Sequence, residues 1–184
     1  MTPEENEIIK SCCEDFKNAD IAILKVKSCI DTEVIPAVLH LRYAGWHLSE
    51  GIINKEYRHL HEAKTHSEKA VVEAYRFGIL YYLDVIKLFR DIHGKYISSG
   101  TIPNYSEKMR VAEEIRVNYM DKEYYYQHGN SSDSFLKLKS IVDELINSQP
   151  ELNKLRVKNK IKVIVSCTIS IVAIIIAILS IIFK

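Results

Sequence analysis

The run Val163–Phe183 holds 21 consecutive residues without a charge. As an α-helix rising about 1.5 Å per residue it would span roughly 31 Å, the thickness of a bilayer's hydrocarbon core. Only Lys184 follows it. Directly before it stand Lys154, Arg156, Lys158, Lys160 and Lys162, a cationic collar that the positive-inside rule places at the cytoplasmic surface. The pattern predicts a single-pass, tail-anchored membrane protein. Its soluble domain would be cytoplasmic and its C-terminus would lie across the membrane, with the lipid bilayer as first partner.

About 160 residues precede the run, enough for one domain with a core. The chain has 25 Lys and Arg against 24 Asp and Glu, a net charge of +1, so no global field calls for nucleic acid. Its four cysteines, Cys12, Cys13, Cys29 and Cys167, have neither the spacing of a disulfide framework nor that of a zinc knuckle. Reduced thiols are expected. The N-terminus reads as a helix start and not as a signal peptide: Thr2-Pro3-Glu4-Glu5 offers a capping hydroxyl, proline in the first turn and acids at the positive end of the helix dipole.

Apolar residues then recur at helical spacing. Ile9, Cys12, Phe16, Ala19, Ile23, Val26 and Ile30 make the stripe of a first helix. Asp31 or Thr32 is the expected cap of a second, established by Pro36 and running to about Ile53, with Val34, Ala37, Leu41, Ala44, Leu48 and Ile52 inward. A third extends from about Asn54 to Ile97, burying Leu60, Ala63, Ala70, Ala74, Phe77, Tyr81, Val85, Leu88 and Ile92, and is expected to bend, with Gly78 the candidate place, or to project beyond its partners. Residues 1–97 thus predict a three-helix core, and 98–104, Ser-Ser-Gly-Thr-Ile-Pro-Asn, a linker. Two further helices occupy 105–149: a polar one, Tyr105 to about Gln127, with Ala112, Ile115, Tyr119 and Tyr126 on one side, and one burying Phe135, Leu138, Val142 and Leu145. Ser148-Gln149-Pro150-Glu151 is the expected restart of a basic juxtamembrane helix, 150–162, leading into the anchor, 163–183. No segment alternates like a strand. The fold class is all-α: an antiparallel bundle of long helices plus one C-terminal transmembrane helix.

Within the anchor, Ser166, Ser170, Ala173, Ala177 and Ser180 fall on one stripe. Small residues let membrane helices approach closely, so the stripe predicts self-association and a homo-oligomer. Chance alignment, or a narrow water path lined by serines, are the other readings.

Arg42-Tyr43-Ala44-Gly45-Trp46-His47 contains Arg, four residues, then His. This hexapeptide resembles the RxxxxH signature of HEPN-type nucleases, which are also small helical bundles. The resemblance implies a metal-independent ribonuclease in which Arg42 stabilises phosphate and His47 is the acid/base. Five residues advance a helix by about 500°, leaving the pair roughly 140° apart, so a joint site would need two subunits. Nucleic acid would be a partner under this reading alone. The structural alternative is a boundary Arg and a surface His flanking a packed Trp46.

His59, Glu62, His66 and Glu73 share one helical face. Imidazole and carboxylate can hold zinc or iron, but a carboxylate-bridged di-metal centre needs a Glu-x-x-His pair from each of two helices. There is no second copy here, so the face reads as solvated, with no metal and no cofactor, though crowded histidines could sense pH. Asp84 beside the buried stripe would need a hydrogen-bond partner. Tyr124-Tyr125-Tyr126 could stack on bases or meet headgroups, or simply pack.

There is no phosphate loop, HExxH, CxxC or GxSxG, and no small-molecule substrate is evident. The leading expectation is a self-associating, non-enzymatic scaffold or effector acting at the membrane. In architecture it resembles membrane-anchored bacterial antiviral effectors, which implies pore formation or membrane perturbation. The alternatives are the membrane-tethered HEPN-like ribonuclease and a tether whose heptads before an anchor resemble a SNARE.

Overall fold

The computed structural model describes residues 3–97, 101–120 and 131–182; the side chains of 3, 120, 169 and 171–182 lie outside the described set. Among the described residues there are five α-helices, one 3-10 turn and no strand. They are α1 Pro3–Ile30, α2 Ile35–Asn54, α3 Tyr57–His93, the turn Gly94–Tyr96, α4 Tyr105–Met120 and α5 Ser131–Ile182. The bundle of long helices is as expected. Helix α3 is its axis, packing on α1, α2 and α5.

Two tight reversals organise the first three helices. Asp31 (φ 49°) and Lys55 (φ 56°) take the left-handed conformation. Their N–H groups donate to the Lys27 carbonyl at 2.9 Å and to the Gly51 carbonyl. Asp31 therefore closes α1 and does not cap α2, which starts after Val34 with proline in its first turn and no side-chain cap. At the second reversal Gly51 lets α3 come close: a Cβ there would stand 2.7 Å from Leu60 Cδ2. Gly51 thus holds the buried position, and Ile52, expected inside, is exposed.

The α1 stripe lies inward, with Ala19, Ile23, Val26 and Ile30 buried and Ala22 added. In α3 the first half also agrees, through Leu60, Ala63, Ala70 and Ala74. The second half does not: Tyr75, Ile79, Tyr82, Ile86 and Phe89 are buried, whereas Tyr81, Leu88 and Ile92 are exposed. In that half α5 also packs on α3, with Phe135 against Tyr75, Gly78 and Tyr82, so the buried face turns toward it.

Gly78 forms a notch. A Cβ there would meet Phe135 Cε2 at 2.5 Å and Val26 Cγ1 at 3.0 Å. The fully buried Phe135 ring docks α5 against α1 and α3, between Tyr75 and Tyr82 with ring centroids 5.7 and 5.3 Å away. Leu138, Val142, Leu145 and Leu152 continue that seam. The segment before α4 is pinned by the buried Ile102, which its place in a Gly- and Ser-rich stretch did not suggest. Pro150 lies inside α5 without ending it, so the expected restart at 148–151 is absent. Beyond Leu152, described residues of α5 are exposed except for the half-buried Arg156.

Among the described residues, no helix is long and apolar enough to cross a membrane. The expected crossing, Val163–Phe183, falls for the most part on side chains outside that set.

Candidate functional site

Four of the seven histidines meet between α2 and α3. His40 and His47 lie seven residues apart on α2, and His59 and His66 seven apart on α3. Seven residues are close to two helical turns, so each pair shares a face. The reversal at 54–56 runs the helices antiparallel and brings the pairs into register. His40 Nδ1 is 3.1 Å from His66 Nδ1, and His47 Nδ1 is 2.9 Å from His59 Nδ1. The His47 and His66 rings stack at 5.4 Å with 15° between their planes.

A carboxylate completes one end of the cluster. Glu62 Oε2 is 3.0 Å from His47 Nδ1 and 3.7 Å from His59 Nδ1. The other sides of His59 and Glu62 are engaged as well. His59 Nε2 faces Glu56 Oε2 at 3.4 Å, and Glu62 Oε1 faces Arg58 Nε at 3.7 Å. Trp46 leans over the site, its ring 4.5 Å from His47 and 5.8 Å from His59. The side chains of His47 and His59 are only 12% and 14% exposed, and that of Glu62 37%. The face expected to be solvated is therefore half-buried against α2. Burial, with His40 and His47 beside it, pushes His66 below the ordinary imidazole range.

The three donor atoms of His47, His59 and Glu62 lie within 4.8 Å of one another. Such a set can share protons along its hydrogen bonds or hold a cation. Spacing on α3 alone did not reveal it, because His47 comes from the other helix. A symmetry of positions carries the signal: 40 and 47 lie as far before residue 53 as 66 and 59 lie after it. An antiparallel hairpin turning there must pair them.

The other expected site residues fall elsewhere. Arg42 is exposed on α2, while His47 turns toward α3, and Trp46, expected to pack, is 54% exposed. Glu73 pairs with Arg76 at 3.3 Å, apart from the cluster it was grouped with. Asp84 is exposed and lines an open cleft of about 820 Å³ between α3 and α4, together with Lys87, Arg90 and Arg116. Tyr124, Tyr125 and Tyr126 lie outside the described residues. Ser166 and Ser170 are exposed, the Ser170 hydroxyl donating to the Ser166 carbonyl at 2.9 Å; the side chains of Ala173, Ala177 and Ser180 lie outside the described set. Lys154, Lys158, Lys160 and Lys162 are exposed. Arg156 instead is half-buried near the buried His93, whose two ring nitrogens have no hydrogen-bond partner among the described residues. Burial, and then the nearby Arg156 charge, hold His93 below its ordinary value.

Compared with models of protein families, with curated proteins and with solved structures, the chain matches none.

Proposed function

We propose that the chain is a single-pass membrane protein whose helical domain is held at the cytoplasmic surface by the end of α5, and that copies of it associate into a scaffold or effector at the membrane. One observation carries the reading. Helix α5 leaves the bundle at Leu152 and continues to Ile182, presenting Leu155, Val157, Ile161, Val163, Ile164 and Val165 to the outside. A helix that grows more apolar as it loses protein contacts has its natural solvent in hydrocarbon. The Lys154–Lys162 collar sits at the junction and favours the cytoplasmic leaflet.

Association has support outside the anchor as well. Helix α2 is apolar on two opposite faces. Ala37 and Ala44 are buried, while Ile35, Leu39, Tyr43, Trp46 and Ile53 form an outward stripe at helical spacing. A helix apolar on both sides is ordinarily covered on both. Together with the small-residue stripe of 166–180, this favours a homo-oligomer contacting through both the domain and the anchor.

The test is alkaline-carbonate extraction of cells expressing the full chain or residues 1–162. The full chain should stay in the membrane pellet, and the truncated chain should be released folded. Release of the full chain would overturn the reading.

A further inference from the structure

We propose that His47, His59 and Glu62 form a binding site for a divalent transition-metal ion, zinc by the character of its donors, which clamps α2 to α3. The size of the donor triangle is the first argument. Its edges are 2.9 Å from His47 Nδ1 to His59 Nδ1, 3.0 Å from His47 Nδ1 to Glu62 Oε2, and 3.7 Å from His59 Nδ1 to Glu62 Oε2. Zinc holds imidazole nitrogen and carboxylate oxygen at about 2.0–2.2 Å, which sets tetrahedral ligand–ligand edges near 3.3 Å. The circle through the three atoms has a radius of about 1.9 Å, so an ion about 2.05 Å from each stands only about 0.8 Å out of their plane, with no side chain moved.

The surroundings supply the second argument. Ligating imidazoles ordinarily give their other ring N–H to a carboxylate or carbonyl, which orients the ring and makes the ligand more basic. His59 has that arrangement, with Nδ1 turned inward and Nε2 against Glu56 at 3.4 Å. The second oxygen of Glu62 faces Arg58 at 3.7 Å, which leaves Oε2 as the coordinating atom. Trp46 shields one flank from water.

The third argument is the crowding itself. His47 Nδ1 lies within hydrogen-bond distance of two atoms at once, His59 Nδ1 and Glu62 Oε2. One ring proton cannot serve both well, whereas a cation between them takes a lone pair from all three. Two imidazoles and one carboxylate are borderline donors that suit zinc and its transition-metal neighbours better than calcium or magnesium. Three protein ligands leave a fourth position for water.

The experiment uses the untagged full chain in detergent micelles, stripped of metal and titrated with zinc chloride against a chromophoric chelator. The expected result is one equivalent of zinc per chain with a Kd of about 1 µM or below, and a melting temperature several degrees higher with zinc than without. Cobalt in place of zinc should give the intense visible absorption of a four-coordinate ion. His59→Ala and Glu62→Ala should weaken binding at least tenfold. His61→Ala, at an exposed histidine on the same helix, should leave it unchanged. Circular dichroism of the metal-free variants checks the fold, and His47→Gln replaces any alanine variant that does not fold. Absence of a saturable equivalent tighter than about 100 µM, or unchanged affinity in the His47→Gln, His59→Gln double variant, would overturn the proposal and leave the cluster as a proton-sharing network.

Discussion

Helix α5 is one element with two kinds of surroundings. Phe135, Leu138, Val142, Leu145 and Leu152 are buried, and the Phe135 ring fills a notch that only a glycine at 78 leaves open. From Asn153 its described side chains, Arg156 apart, are exposed, even where the residue is leucine, isoleucine or valine. Both halves belong to one continuous α-helix, so backbone structure does not distinguish them. What differs is who satisfies the apolar side chains: the bundle in the first half, and on the reading proposed above lipid in the second.

The largest effect should follow from emptying the notch. Phe135→Ala is expected to cost about 3–5 kcal/mol, as for other buried aromatic truncations, read as a fall in the thermal midpoint of the domain. Ile164→Ala, on the exposed half, should leave that midpoint unmoved. Equal effects would erase the distinction between the halves.

A smaller loss is expected from filling the notch. Alanine is a better helix former than glycine by about 1 kcal/mol. At position 78, however, its methyl would stand 2.5 Å from the Phe135 ring, and such overpacking costs about 1–3 kcal/mol. Gly78→Ala should therefore destabilise despite its propensity. A stabilised variant in chemical denaturation would show that α5 is not seated there.

The junction of the halves should respond to acid. His93, buried beside Arg156, has a folded pKa below 6.5. The unfolded chain then takes up this proton first as pH falls. The contribution of His93 is full above about pH 6.5 and is lost as pH drops from there through the folded value. Unfolding midpoints measured from pH 7.5 down to 5 should fall more steeply for the native chain than for His93→Leu. Parallel slopes would contradict this.

The smallest effect on stability concerns the outside of α2. Trp46 is 54% exposed, so Trp46→Ala should change stability by roughly 0.5 kcal/mol or less while lowering cross-linking between copies in membranes. A large loss of stability would instead mean that the ring is held within the domain.

Much of this architecture was legible in the sequence, and the failures have physical causes. The α1 stripe could be read because the helix packs along one straight line. In α3 the pattern holds to Ala74 and then slips by one residue, because α5 docks there through Phe135 and buries Tyr75, Gly78 and Tyr82, a contact that the pattern of one helix does not reveal. Pro150 was read as a break, yet a proline on the exposed side of a packed helix can be tolerated when its neighbours Leu145 and Leu152 are anchored. Ile102 was hidden by flanking residues that signal a loop. The histidine cluster was half legible: its α3 members share a face, but His40 and His47 join them only once the reversal at Lys55 sets the register between helices.

The claim that the second half of α5 is solvated by lipid is tested most directly by amide hydrogen exchange on the full chain in lipid nanodiscs. The account predicts slow exchange for residues 135–152, where protein packs, and for 163–182, where lipid does. The intervening 153–162 should exchange much faster, being covered by neither. Exchange across 163–182 as fast as across 153–162 would contradict it.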